Sequence, residues 1–157
     1  PFYDREQVEL VWGLEPSAGM RRKAATAIER SEVEVRMLDL PGEEIPLDDA
    51  TVDTAVLTYT LCSIADWRLA LQQIRRVLVP GGRVLFAEHG RAPDESVRRW
   101  QRRLDPVWNV VAGGCHLDRP IVEGLRGAGF RIDRLDEEYL GRPRAASFVS
   151  SGSCSPR

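Results

Sequence analysis

The chain has 157 residues, 43% of them hydrophobic and 29% charged, enough to bury a core as one globular domain. No apolar run approaches the roughly 18 residues of a membrane span and no secretory leader opens the chain, so it reads as a soluble cytoplasmic protein. A net charge of −2 argues against a dedicated nucleic-acid binder, and three cysteines without metal-type spacing (Cys62, Cys115 and Cys154) suggest neither a disulfide framework nor a metal site.

In chain order, apolar runs of strand length alternate with helical patterns, the signature of a sheet built from βαβ units. Val8 to Gly13 (VELVWG) is predicted as a buried strand, and Ser17 caps a helix that turns Met20, Ala24, Ala27 and Ile28 inward. Val33 to Leu38 is a second strand. Val52 to Tyr59 is a third, apolar enough to be buried on both faces. Asp66 caps the next helix, whose Trp67, Ala70, Leu71, Ile74, Val77 and Leu78 recur at helical spacing until Pro80-Gly81-Gly82 stops it.

Arg83 to Glu88 (RVLFAE) is the fourth strand, and Asp94 to about Val111 is helical with a break near Asp105-Pro106. A further helix over Pro120 to Ala128 is capped by Asp118 and ended by Gly129. Phe130 to Leu140 and Ala145 to Ser150 form a closing antiparallel pair, and residues 151–157 are expected as a disordered tail. The expected fold is a Rossmann-like, doubly wound α/β domain over residues 1–150, with a mostly parallel sheet and a C-terminal antiparallel strand pair.

In such a sheet the ligand lies beyond the carboxyl ends of the strands, so the residues just after each strand are the candidates. Glu15 follows the first strand, where a carboxylate can accept both hydroxyls of a ribose or simply sit solvated at a helix start. Gly42 and Glu43 follow the second; an amide and a carboxylate there can read an adenine edge, or form an ordinary Pro-Gly turn. Thr60 and Leu61 end the third strand at the floor of the crevice, and Met20 and Leu61 can make apolar contacts to an adenosine unless they are plain core.

The segments VELVWGLEPSAGM (from Val8), LDLPGEEIP (from Leu38), VDTAVLTYTLCS (from Val52) and RRVLVPGGRVLFAEH (from Arg75) resemble successive motifs of class I S-adenosylmethionine-dependent methyltransferases. LDPVWNVVAGGCHLDR, from Leu104, narrows the resemblance to the methyltransferase-like group that includes thiol S-methyltransferases. The resemblance implies S-adenosylmethionine as cofactor, with Glu15 on the ribose hydroxyls, Gly42 and Glu43 around the adenine, and Thr60 and Leu61 along the methionine side. It also implies a first strand and a glycine-rich loop ahead of Pro1, with Pro1-Phe2-Tyr3 just beyond that loop; the chain has neither and reads as a fragment.

Methyl transfer is an in-line displacement that needs the acceptor held at the methyl carbon and, for an oxygen or nitrogen acceptor, a base. The candidate bases are Glu88 and His89, at the end of the fourth strand, and Asp105 and His116, from the insertion after it. Cys62 is expected as a small buried residue, and Trp100, Val107, Trp108, Val110 and Val111 as core or as the wall of an apolar substrate pocket. The implied reaction is methyl transfer to a small molecule; the narrower resemblance implies a thiol, with lipid, quinone or other small acceptors left open. A nicotinamide-dependent oxidoreductase and a non-catalytic remnant of the fold stand as alternatives.

Overall fold

A computed structural model describes residues 3–157; Pro1 and Phe2 lie outside the described residues. The chain falls into two compact units, the first ending at Ile45 and the second running from Pro46 to Arg157.

The first unit is a βαβ unit. Strand β1 (Leu10–Leu14) leads to helix α1 (Ala18–Glu29), and β2 (Glu34–Leu38) returns parallel to β1 in register Leu10 to Glu34 through Leu14 to Leu38. Ser17 caps α1 as expected, its side chain accepting the Met20 N–H. The inward stripe expected on α1 is not buried: Met20 is 51% exposed, Ala27 is exposed, and only Ala24 and Ile28 are half covered. Small and charged residues dominate this helix, so it has little apolar area to bury.

The second unit holds a four-stranded sheet in the order β3-β4-β6-β5, formed by β3 (Val52–Thr58), β4 (Leu78–His89), β5 (Phe130–Tyr139) and β6 (Phe148–Pro156). Helix α2 (Trp67–Val77) joins β3 to the parallel β4 and buries Trp67, Ala70, Leu71, Ile74 and Val77, the predicted stripe. It ends at Val77, and Leu78 already belongs to β4. Pro80-Gly81-Gly82 therefore stops nothing; it lies where the β3 to β4 register jumps between Val52 and Thr54. Val56 of β3 is 49% exposed while the adjacent Leu57 is buried, so the strand is not buried on both faces as expected.

Helix α3 (Glu95–Val111) runs through Pro106 without the expected break. The proline withholds one N–H from the turn before it, on a side of the helix where Arg102 is exposed and water can replace the bond. Helix α4 (Ile121–Gly127) starts after Pro120 rather than after an Asp118 cap, and Gly129 follows with φ +88°. A Cβ on Gly124 would lie 2.0 Å from the Trp67 ring, so α4 packs on α2 only because that position has no side chain. The closing antiparallel pair is present, but its second strand is β6, which begins at Phe148 and extends to Pro156. Residues 151–156 are thus strand rather than tail: β6 lies between β4 and β5 and finds backbone partners on both sides.

Candidate functional site

In the first unit the turn after β1 carries Glu15. Its Oε1 accepts the Ser17 N–H at 2.8 Å, and no partner is recorded for Oε2 among the described residues. The backbone carbonyl of Glu15 accepts from Arg21 Nη1 at 2.6 Å, and Arg21 forks onto Asp39, which follows β2. Asp39 was not among the sequence candidates, although an acidic residue directly after a strand is the same signal that picked out Glu15. Gly42 and Glu43 occupy the turn Pro41 to Glu44, closed by the Glu44 N–H on the Pro41 carbonyl at 3.0 Å. Glu15, Met20, Gly42 and Glu43 all lie in this unit; Thr60 and Leu61 lie in the other.

In the second unit the chain after β3 is held by buried charge. Along β4 the side chains alternate, so Val84, Phe86 and Glu88 share the inner face. Glu88 is fully buried; Oε1 accepts the Thr60 N–H at 2.8 Å and Oε2 the Cys62 N–H at 3.1 Å. Burial pushes its carboxyl pKa up, and the backbone N–H groups offset part of that rise. Arg119 closes the same segment from the other side, donating to the carbonyls of Leu61 and Ile64. Leu61 has no exposed side-chain surface and its carbonyl is taken, so it cannot line a cofactor with either group. Thr60 likewise spends its Oγ1 on the Thr58 carbonyl and its own carbonyl on the Ser63 and Ile64 N–H groups.

Asp105 and His116 meet, as their joint candidacy suggested, but as a clasp. His116 Nδ1 lies 2.8 Å from Asp105 Oδ2, and Asp105 Oδ1 accepts the Leu117 N–H at 2.7 Å. Asn109 Nδ2 donates to the Gly114 carbonyl at 2.7 Å, which identifies it as the amide nitrogen, and lies 3.1 Å from His116 Nε2. The arrangement suits a neutral imidazole with its proton on Nδ1 and its Nε2 lone pair already engaged. Gly113 and Gly114, with φ of +63° and +93°, make the turn that brings Cys115 and His116 back under α3.

That turn completes a cluster which the sequence spacing did not reveal. Cys62, His89 and Cys115 present Sγ, a ring nitrogen and Sγ all within 4.8 Å of one another, and Cys115 Sγ is 3.6 Å from His89 Nδ1. Both cysteines are buried, and His89 is half-buried with its ring edge-on to Tyr59 at 4.8 Å. A hydrogen bond between the two cysteine side chains splits their proton affinities: it draws the Cys115 pKa down, with His89 and Trp108 adding to the effect and burial opposing it, and pushes that of Cys62 up, with burial adding there. The Trp108 indole Nε1 is buried beside Cys115 and, among the described residues, has no partner at full hydrogen-bond geometry. Of the α3 residues expected as core or pocket wall, Trp100, Val107, Val110 and Val111 are 57% to 80% exposed.

Comparison with known proteins fits this architecture. Residues 2–86, more than half the chain, match the Methyltransferase domain family. Over 105 residues the chain is 39% identical to human thiol S-methyltransferase TMT1B, covering 66% of this chain and 43% of that protein. It spans 37% to 43% of the length of the first curated relatives it matches. A crystal structure of an S-adenosylmethionine-dependent methyltransferase from Methanosarcina mazei superposes with a TM-score of 0.71 at 18% identity, over 94% of this chain and 82% of that one. The [4+2]-cyclase SpnF superposes with a TM-score of 0.73 at 16% identity, over 95% and 67%. These likenesses establish the Rossmann-like fold, and the cyclase shows that the fold alone does not fix a reaction.

Proposed function

Since the chain belongs to the family of class I S-adenosylmethionine-dependent methyltransferases, we propose that its protein transfers the methyl group of S-adenosylmethionine to a small-molecule thiol. The single observation that carries the cofactor half is Glu15, a carboxylate at the carboxyl end of β1 with one oxygen anchored on Ser17 and the other without a recorded partner. That second oxygen is available to a ribose hydroxyl. Gly42 and Glu43, in the turn after β2, supply the polar edge for the adenine, and Met20, half exposed on α1, the apolar contact.

When bound, S-adenosylmethionine supplies a methyl carbon activated by its positive sulfur. The residues present favour an acceptor that needs no protein base. Glu88 spends both oxygens on backbone N–H groups, Asp105 both oxygens on His116 and Leu117, and His116 both ring nitrogens on Asp105 and Asn109. His89 is drawn into the cysteine cluster. An ordinary thiol ionises at about 8.5, so near neutrality a usable fraction is already thiolate, whereas phenols and amines ionise at about 10 or above. The similarity to TMT1B points the same way. Among the described residues no helix is long and apolar enough to cross a membrane.

The test is calorimetric titration of S-adenosylhomocysteine into the protein and its Glu15→Ala variant, followed by methyl-transfer assays with matched thiol, phenol and amine acceptors. Binding that the variant weakens by about tenfold or more, ~1.4 kcal/mol, with turnover of the thiol alone, is the expected result. No binding overturns the cofactor assignment, and turnover of the phenol or amine in preference to the thiol overturns the acceptor.

A further inference from the structure

We propose that Cys62, His89 and Cys115 form a binding site for one thiophilic divalent cation, of which Zn2+ is the type, held by two sulfurs and one imidazole nitrogen with a fourth position left open. The three ligands come from separate parts of the second unit: the segment after β3, the end of β4, and the turn after α3. None of them is a surface residue that drifts into range, since both cysteines are buried and His89 is half-buried.

The dimensions suit such an ion. With Zn–S of about 2.3 Å and Zn–N of about 2.0–2.1 Å, a tetrahedral centre sets its ligand atoms roughly 3.4–3.8 Å apart. Cys115 Sγ and His89 Nδ1 already stand at 3.6 Å, and no edge of the triangle exceeds 4.8 Å. Closing the site therefore takes side-chain movement of about 1 Å, without refolding the backbone. Two cysteines and one histidine with a vacant fourth position is also a set that Zn2+ uses in catalytic centres.

The surroundings supply what metal-bound thiolates need. The backbone around Cys62 is fixed on three sides, by Glu88 on its N–H, by the His116 N–H on its carbonyl at 2.8 Å, and by Arg119 on the neighbouring Leu61 carbonyl. Ser63 Oγ lies 3.6 Å from Cys62 Sγ, placing a hydroxyl beside that sulfur. The buried Trp108 indole N–H, which has no partner at full hydrogen-bond geometry among the described residues, lies beside Cys115, and a thiolate held by a cation is a stronger acceptor for it than a neutral thiol.

The test is titration of the reduced protein with Co2+ as an optical stand-in for Zn2+, under anaerobic conditions. We expect one ion per chain, with the visible bands of a tetrahedral centre and a sulfur-to-metal charge-transfer band in the near ultraviolet. Cys62→Ser and Cys115→Ser should abolish both, His89→Ala should weaken binding by about tenfold or more, and Cys154→Ala should leave the spectrum unchanged. Should the cysteine variants fail to fold, alkylation of the wild-type protein with and without Zn2+ decides: protection of Cys62 and Cys115, with Cys154 unaffected, is expected. The proposal is overturned by absence of tetrahedral bands, by bands that survive Cys115→Ser, or by alkylation rates that Zn2+ does not change. None of these readouts depends on S-adenosylmethionine, so the site stands or falls separately from the methyl-transfer reading.

Discussion

Two strand ends carry a glutamate, and they use it in opposite ways. Glu15, after β1, is partly exposed and gives one oxygen to one backbone N–H. Glu88, at the end of β4, is fully buried and gives both oxygens to the N–H groups of Thr60 and Cys62. The same side chain is a free acceptor in the first unit and a structural rivet in the second. What decides is the neighbourhood: a buried carboxylate must be fully satisfied by the protein, while an exposed one can leave part of its capacity to water and hence to a ligand.

Replacing Glu88 by Gln breaks the rivet most directly. The amide keeps one acceptor oxygen but turns a donor NH2 toward the other backbone N–H, leaving a buried donor facing a donor. The expected loss is about 1–3 kcal/mol in unfolding free energy, measured by denaturant titration. A loss under about 0.3 kcal/mol would show that the Thr60 to Cys62 segment does not depend on the carboxylate. Arg119→Met removes the opposing clamp on the Leu61 and Ile64 carbonyls. Because Arg119 is only half-buried, water can take over part of its role, and about 1 kcal/mol is expected in the same measurement.

The carboxylate of Asp94 gives a third contrast, read through a partner's titration. Tyr139 donates its hydroxyl to Asp94, and burial together with that bond raises the phenol to about 12 from the ordinary value of 10.0. A raised folded-state value means the contribution to stability is complete below the unfolded pKa of about 10. It is lost as pH climbs through about 12. Ultraviolet titration of phenolate should find one of the three tyrosines ionising last, and Asp94→Asn should bring it down toward the ordinary value. Coincident ionisation of all the tyrosines would remove the bond from the account.

Much of this architecture was legible in the sequence because it rests on local periodicity. The α2 stripe and the strands around it follow from spacing alone, and the closing antiparallel pair from two strand-length segments around the Gly141-Arg142-Pro143 connection. The end of β6 was missed because Ser151 to Pro156 has the composition of a tail; pairing with strands on both sides orders it, and composition cannot show that. Glu88 was found as a candidate base when its alternation with Val84 and Phe86 already marked the inner face. The cysteine cluster lay beyond sequence spacing, since Cys62, His89 and Cys115 converge only through the β4 pairing and the Gly113-Gly114 turn. The exposed α3 face runs the other way: its helical spacing is that of a core stripe, yet Val107, Val110 and Val111 remain uncovered.

The smallest effect on stability should come from Glu15→Gln, and that is what gives it force. A partly exposed side chain with a single 2.8 Å bond to the Ser17 N–H leaves Ser17 still capping α1 through its own hydroxyl. The change in unfolding free energy should therefore stay within about 0.5 kcal/mol. If Glu15 is a free acceptor, the same substitution should still weaken nucleoside binding, because an amide accepts through one oxygen where a carboxylate accepts through two, and carries no charge to strengthen the bond. A variant as stable as the parent but poorer in binding separates ligand capacity from structure at this position. A variant that loses stability on the scale of Glu88→Gln would instead make Glu15 a second rivet, and would move the search for the ribose contact to Asp39.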